Sequence, residues 1–391
     1  MNFELLMRRA IELATLGKGT THPNPLVGAL IVDDTGKILA EGYHKKQGEN
    51  HAEVNALKEL LSKNISATGK TMIVTLEPCN HHGNTPPCTE AILDADIKRV
   101  VIGATDTNPN IKGKGSQKLR EAGVDVITGI LEHDCRKQNR AYFSRIERIR
   151  PWIIAKWAMS IDGKIATKTG DSSWITCDES RKLARELRAY AGSVLVGAGT
   201  ILKDDPMLNY RGERNLNQPL RIILDPNAKI HENHKIFHVD GGGKILRIRT
   251  QTANMFTESD KDYRITPANV ENIENKAIFD IIISDTLSIE KKLPLLKISE
   301  ILSTEFDISA VLVEGGSKTL TAFFDAGLID EVNVFISPKI IGGKDALTPI
   351  SGKGISDMCD ITKIEEVEYK IISNQDVFLS GFLSSDFFAQ R

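Results

Sequence analysis

Two α/β domains in series are what this sequence predicts. Three observations carry that expectation: a length of 391 residues, too great for one small core; short apolar runs alternating with helix-like patterns; and a fresh start of that alternation after Pro151. The expected domains are 1–147 and 148–391. Apolar residues make up 41% of the chain and charged residues 26%, a balance that excludes a disordered polypeptide. A net charge of −2 argues against general binding to nucleic acid or to anionic membranes, which both call for a basic surface.

At the start of the chain, Phe3, Leu6, Met7, Ala10, Ile11 and Ala14 recur at helical spacing, and Gly17 can end the helix. Glu4, Arg8, Arg9 and Glu12 break any apolar core, so this segment does not read as a signal peptide. No run approaches the roughly 18 apolar residues of a membrane span, and the protein is expected in the cytoplasm. The runs Val27–Val32 and Ile38–Tyr43 flank the turn residues Asp33-Asp34-Thr35-Gly36, which predicts a hairpin. A helix over His51–Ser62, a strand over Thr71–Leu76 and a loop rich in Pro, His and Gly over 77–87 follow. The unit closes with a helix at Thr89–Ala95, a strand at Val100–Gly103, a helix at Ser116–Ala122 and a strand at Val124–Thr128. A hairpin leading into alternating helices and strands indicates a three-layer α/β domain. The basic stretch Arg140–Pro151 lacks the Gly/Ser composition of a loose linker and reads as a packed seam. Its arginines are expected on a solvated helix face, with a phosphate patch as the sharper alternative.

Beyond Pro151, strands are predicted at Trp152–Trp157, Ser193–Val196, Leu220–Leu224, Lys244–Arg247, Asp280–Ser284, Ala310–Val313 and Val332–Ile336. Helices are predicted at Asp178–Tyr190, Ile289–Leu302 and Ser317–Ala326. Gly197-Ala198-Gly199-Thr200 and Gly315-Gly316-Ser317-Lys318-Thr319 each follow a strand, and the second also opens a helix. Glycines there let backbone approach an anion, although neither segment has the full spacing of a dinucleotide fingerprint.

The strongest chemical signal is His51-Ala52-Glu53 followed by Pro78-Cys79 and Pro87-Cys88. One imidazole and two thiolates leave the fourth tetrahedral position of a zinc ion for water, an arrangement of catalytic rather than structural sites. Glu53, two residues from the histidine at the start of the same helix, can move protons without binding the metal. A His-x-Glu with Pro-Cys pattern is that of zinc nucleobase deaminases, where the cysteines are only two residues apart. A structural zinc knot would want a fourth ligand, for which His81 or His82 are the candidates. The five cysteines are an odd, sparse set suited to a reducing compartment. Cys135, Cys177 and Cys359 lack partners at ligand spacing and read as plain thiols. His231, His234 and His238 lie in a polar insert and read as a surface loop.

With these residues in view, the chain resembles the bifunctional riboflavin-biosynthesis deaminase/reductase family. The likeness rests on T-H-P-N-P-L-V-G (21–28), G-Y-H (42–44), H-A-E (51–53) and E-P-C-N-H-H-G-N-T-P-P-C (77–88). It continues through K-W-A-M-S-I-D-G-K-I-A (156–166), G-D-S-S-W-I-T (170–176), V-G-A-G-T-I-L-K-D-D-P (196–206) and V-E-G-G-S (313–317), in order and over nearly the whole chain. The resemblance implies a cytidine-deaminase-like three-layer α/β/α domain followed by a dihydrofolate-reductase-like α/β domain. It implies one zinc ion per chain, NADPH as second cofactor, and deamination of 2,5-diamino-6-ribosylamino-4(3H)-pyrimidinone 5′-phosphate followed by reduction of its ribose to ribitol. In the first domain it places Asn24, His44, His81 and His82 around the phosphorylated pyrimidine. Asn84 stands where the family commonly has Lys or Arg, so phosphate contact there is weaker or made elsewhere.

In the second domain the resemblance puts Ala158, Trp174, Thr200, Asp204, Pro226 and Gly315, Gly316, Ser317, Lys318 and Thr319 on the cofactor. It puts Lys156, Ser172, Arg188, Leu208, Arg211 and Glu314 on the substrate, with Arg188 and Arg211 suited to grip its phosphate. Hydride is expected at C1 of an opened ribosylamine, with Asp204 or Glu314 assisting proton delivery. Both domain types often self-associate, so a homo-oligomer is implied. Two other readings stand beside this one. In one, the protein deaminates bases in RNA and uses its second domain for binding, against which the near-neutral charge counts. In the other, the second domain is a silent regulator.

Overall fold

The structure is a computed structural model describing residues 1–81, 86–109, 111–239, 241–251, 262–267, 278–284, 293–384 and 386–388. The chain divides into two compact units, Met1–Ile149 and Arg150–Ser385, and the short turn Asp386–Phe388 returns to the first.

The first unit begins with α1 (Phe3–Ala14), whose Leu6, Met7, Ala10 and Leu13 are buried, as the helical spacing requires. The hairpin follows as β1 (Gly28–Val32) and β2 (Ile38–Tyr43), paired antiparallel. Next come α2 (Ala52–Ser62), β3 (Thr71–Leu76), α3 (Cys88–Asp94), β4 (Arg99–Ala104), α4 (Lys114–Glu121) and β5 (Asp125–Thr128). The helices α5 (Glu132–Gln138) and α6 (Arg140–Arg148) complete the unit. The sheet order is β2-β1-β3-β4-β5, antiparallel at the hairpin end and parallel across β3, β4 and β5. Strands β1 and β3 are buried on both faces because helices cover both. Ala29, Ile31, Val74 and Ile102 pack with Ala56 and Leu60 of α2 on one side. Leu30, Ile73 and Val101 pack with Met7 of α1 and with Cys135 and Phe143 of α5 and α6 on the other.

The basic stretch after Asn139 is therefore a helix of this unit, with Tyr142 and Phe143 buried and Ile149 ending it at φ 54°. The helix α5 escaped the sequence reading because Glu132–Gln138 buries only Cys135 and Arg136 and shows no apolar stripe.

The second unit holds a ten-stranded sheet. Its elements run β6 (Trp152–Ser160), α7 (Asp178–Ala191), β7 (Ser193–Gly197), α8 (Ala198–Asp204), β8 (Leu220–Leu224), α9 (Lys235–His238), β9 (Ile245–Gln251), β10 (Tyr263–Pro267) and β11 (Ile278–Ser284). Then follow α10 (Leu295–Phe306), β12 (Ala310–Val313), α11 (Ser317–Asp325), β13 (Glu331–Ser337), β14 (Glu365–Ile372) and β15 (Asp376–Phe382). The order is β10-β11-β9-β8-β7-β12-β6-β13-β15-β14, parallel from β11 to β13 and antiparallel at each end. The central strands β7, β8 and β12 are almost wholly apolar, as strands covered on both faces tend to be, with Arg221 of β8 a buried exception. The antiparallel additions were not expected from sequence: β14 carries Glu365, Glu366 and Glu368 and is exposed along nearly its whole length. The helix predicted over Ile289–Leu302 is seen as α10, and its first four positions lie outside the described residues.

Candidate active sites

In the first unit, His51 caps α2 in an extended conformation, and Glu53 sits in that helix's first turn. Helix α2 lies hard against the hairpin because position 42 has no side chain: a Cβ on Gly42 would fall 2.3 Å from the carbonyl oxygen of Ala52. Cys79 follows β3, and Cys88 is the first residue of α3. The donor atoms of His51, Cys79 and Cys88 all lie within 4.8 Å of one another. His51 Nδ1 is 3.2 Å from Cys88 Sγ and 3.5 Å from Cys79 Sγ, and the Cys88 N–H donates to Cys79 Sγ at 3.4 Å. A contact with the Cys88 thiol, reinforced by His51 and opposed by burial, brings Cys79 down to about 4. Cys88 is pushed up by that same contact and by burial. Three donors converge, an imidazole and two thiols, with no fourth protein ligand among the described residues, which fits a zinc ion with an open position.

Glu53 is 3% exposed, and burial raises its carboxyl above the ordinary value. It shares a cavity of about 220 Å³ with His51 and Cys79. Asn24, His44 and His81 also line this cavity. His44 donates from Nδ1 to the Asn50 carbonyl and accepts at Nε2 from Asn24 (3.1 Å each), so its ring is held neutral and burial lowers its pKa. His82 and Asn84 lie outside the described residues.

The remaining wall was not anticipated from sequence: Glu77, Asp106, Asn108, Tyr142 and Arg145. Glu77 accepts backbone N–H groups of Asp106, Gly113 and Ser116 and so ties the loop after β4 to the loop after β3. Asp106 accepts the Tyr142 hydroxyl at 3.0 Å, and burial lifts it to about 6. The one sequence signal for this wall was the basic stretch now seen as α6: one turn after Tyr142 it delivers Arg145 to the cavity.

In the second unit, Glu314 directly follows β12 and is 8% exposed at its side chain. Arg188 of α7 forks onto it, Nε to Oε1 at 2.6 Å and Nη2 to Oε2 at 3.0 Å, while Lys156 of β6 approaches Oε2 at 3.4 Å. Burial alone would raise the Glu314 carboxyl; Arg188 and then Lys156 outweigh it and bring it down to about 2. A group ionised that firmly has no proton to give near neutrality.

The positions matched to a cofactor gather at one end of the sheet. Ala158 lies toward the end of β6, Thr200 in α8 just after β7, Pro226 after β8, and 315–319 after β12, four neighbouring parallel strands. Ligands of open α/β sheets bind outside such carboxyl ends. The two glycine turns meet there: a Cβ on Gly197 would lie 2.6 Å from Thr319 Oγ1, and one on Gly315 2.4 Å from Thr319 Cβ. Gly316 caps α11 with no side-chain hydrogen bond, leaving that helix's first N–H groups to an external acceptor. The Gly197-Ala198-Gly199-Thr200 segment opens a helix rather than forming only a turn. Ser172, Trp174, Asp204 and Arg211 are exposed, and Leu208 is buried. Trp174 has φ 61°, with the Arg181 guanidinium 4.1 Å from its ring centroid. No metal cluster forms around His231, His234 and His238 among the described residues: His234 meets Asp205, and His238 the Glu232 carbonyl.

Comparison with known proteins agrees with this division. Residues 1–104 match the cytidine and deoxycytidylate deaminase zinc-binding region, and residues 151–377 match the RibD C-terminal domain. The riboflavin biosynthesis protein RibD of Aquifex aeolicus is 41% identical over 357 residues, covering 91% of this chain and 93% of the relative. That of Escherichia coli is 35% identical, covering 95% and 96%. The Thermotoga maritima crystal structure titled as a diaminohydroxyphosphoribosylaminopyrimidine deaminase/5-amino-6-(5-phosphoribosylamino)uracil reductase superposes with a TM-score of 0.78 at 38% identity, covering 97% of each chain. Acinetobacter baumannii RibD superposes with a TM-score of 0.82 at 32% identity, covering 97% of this chain and 98% of that one. With a deaminase-type zinc region followed by the RibD C-terminal domain, this chain belongs to the RibD family of riboflavin biosynthesis proteins.

Proposed function

We infer that the protein catalyses two consecutive steps: hydrolytic deamination of 2,5-diamino-6-ribosylamino-4(3H)-pyrimidinone 5′-phosphate, then NADPH-dependent reduction of the ribosyl chain to ribityl. The observation that carries the reading is a three-donor metal cluster beside a buried glutamate in the first unit, joined in one chain to a RibD C-terminal domain.

His51, Cys79 and Cys88 hold zinc, which when bound makes water acidic enough to act as a nucleophile near neutral pH. Glu53 takes up a proton on its carboxylate and returns it to the departing amine nitrogen; burial favours the protonated form it must pass through. Asn24, with its amide nitrogen engaged by His44, presents its carbonyl oxygen to the pyrimidine. Arg145 supplies a cation for the phosphate end, the role Asn84 is unsuited to fill.

In the second unit Ala158, Trp174, Thr200, Asp204, Pro226 and Gly315 to Thr319 hold NADPH, which supplies a hydride. Ser172, Leu208, Arg211 and the Lys156–Glu314–Arg188 group hold the ribosylamine. The Lys156 ammonium donates the accompanying proton, and Glu314 keeps that ammonium in place.

The substrate is a small phosphorylated pyrimidine, and the free thiols Cys79 and Cys88 suit a reducing cytoplasm. Among the described residues, no helix is long and apolar enough to cross a membrane. A second copy of this chain covers the sheet edge at β14, where Val367, Tyr369 and Ile371 are 46–78% exposed. An open edge strand with one exposed apolar face is otherwise a template for uncontrolled pairing. Light scattering of Tyr369→Lys checks this: the mass should fall relative to wild type.

A coupled assay tests the whole reading. Purified protein should release ammonia from the diaminopyrimidine nucleotide but not from single-stranded RNA, and only then consume NADPH. NADPH oxidation without prior ammonia release, or ammonia from RNA, would reverse it.

A further inference from the structure

The turn Asp386–Phe388 belongs to the first unit, although the whole second unit precedes it in the chain. What it packs on is the pair α5 and α6. Neither helix can hold its place unaided: α5 has 7 residues and buries only Cys135 and Arg136, and α6 has 9 and buries only Tyr142, Phe143 and Ser144. Helices this short are marginal without tertiary contacts.

Side chains of both helices meet at this turn. Arg136 of α5 donates through Nη2 to both carboxylate oxygens of Glu147 on α6, at 2.7 and 2.9 Å, and its guanidinium lies 4.3 Å from the Phe143 ring centroid. The same guanidinium is 5.8 Å from the Phe387 ring centroid, and that of Arg148 on α6 is 4.3 Å from it. Phe387 thus offers its ring to one cation from each helix, an attraction that gains strength where the cation has lost water, as the 9% exposed Arg136 side chain has. Arg148 is fixed in turn on the Ser144 hydroxyl, donating from Nε at 3.1 Å and from Nη2 at 2.7 Å. Phe388 is 1% exposed and meets the His133 ring of α5 edge-on at 5.6 Å. Phe387 also packs against the apolar cluster that holds Cys135, Tyr142 and Phe143.

The position of α6 matters to the metal cavity. Its Tyr142 hydroxyl holds Asp106 at 3.0 Å, and its Arg145 lines the same wall. We propose that Phe387 is a positioning residue of the deaminase site: by joining α5 to α6 it sets where Tyr142 and Arg145 stand in that wall. The proposal rests on the deaminase reading above. It makes the first activity depend on a side chain that follows the entire second unit in sequence.

Two measurements on the full chain test it. Hydrogen exchange followed by mass spectrometry should be faster over Arg140–Arg148 in Phe387→Ala than in the wild type, with α2 and β3 unchanged, and Phe387→Tyr, which keeps the ring, should exchange as the wild type does. Unchanged exchange in α6 overturns the clasp whether or not the enzyme turns over, and so does equal loosening of α2 and β3, which would mark a general loss of fold. In the ammonia assay, Phe387→Ala should raise KM for the phosphorylated diaminopyrimidine on the order of tenfold, as the weakening of one charge-assisted contact implies. Its kcat and zinc content should be unchanged, because the metal donors and Glu53 stand on other elements. Phe387→Tyr should restore KM, and NADPH oxidation of the deaminated intermediate should not alter in either variant. An unaltered KM in Phe387→Ala, or a kcat that falls together with the zinc, overturns the positioning role. Loosening of α6 in a protein whose wild type releases no ammonia from this substrate sinks the deaminase reading instead.

Discussion

Glu314→Gln should destabilise the second unit by about 3 kcal/mol at neutral pH and abolish most of the gap in acid. The magnitude comes from the site. The carboxyl is held at about 2 against an ordinary 4.5 by Arg188 and Lys156 despite its burial. At ~1.4 kcal/mol per pH unit this difference corresponds to roughly 3 kcal/mol of folding free energy. That also matches the roughly 3–5 kcal/mol expected when one partner of a buried pair is removed and its cations are stranded. The sign follows from a depressed carboxylate pKa: the contribution is fully present above about 4.5 and is lost as pH falls toward 2. All three tryptophans, Trp152, Trp157 and Trp174, belong to the second unit, so fluorescence in a urea titration reports that unit alone. Wild type and Glu314→Gln should therefore part widely at pH 7 and converge progressively below pH 4.5. Coincident transitions at pH 7, or a gap undiminished at pH 3, would refute the buried ionic group as described. The variant should also stop NADPH oxidation while ammonia release continues.

Other perturbations follow from the same geometry. Cys79→Ser should lose zinc, measured by plasma emission on the dialysed protein, together with ammonia release, because the residue that is most readily a thiolate is gone; undiminished zinc content would count against the ligand set. Glu53→Gln should keep zinc but lower the deamination rate by about 10²–10⁴, the range for a lost general acid–base, whereas near-normal turnover would show that the proton moves by another route. Arg145→Ala should raise KM for the phosphorylated pyrimidine on the order of tenfold or more and leave an unphosphorylated analogue nearly unaffected, read in an ammonia assay. Gly42→Ala should lower the melting temperature of the first unit, followed by near-ultraviolet circular dichroism, since its Cβ would collide with α2 backbone; an unchanged melt would mean that helix and hairpin can separate without cost.

Much of the molecule was readable from sequence because burial leaves a local, periodic trace. The repeat of apolar positions marked α1, and the apolar runs marked β3, β7, β8 and β12. Elements without that trace were missed: α5 is almost wholly polar, and β14 is an exposed edge strand rich in glutamate. The zinc donors were readable for a different reason, since His, Glu and Cys at fixed spacing imply a chemistry before any fold is known. Whether His51 meets cysteines 28 and 37 residues away is a matter of packing, and the fold supplies that convergence.

What the sequence determined by itself is therefore the alternation of elements, the donor set and the order of family motifs. The tertiary structure alone decided how the charges are spent. Arg188, which the family motifs match to the substrate, forks onto a glutamate 126 residues away. Arg145 arrives in the metal cavity on a helix that read as a solvated face. Electrostatic interaction depends on through-space distance and on the loss of water around a group, and neither quantity is written in the local pattern of a chain.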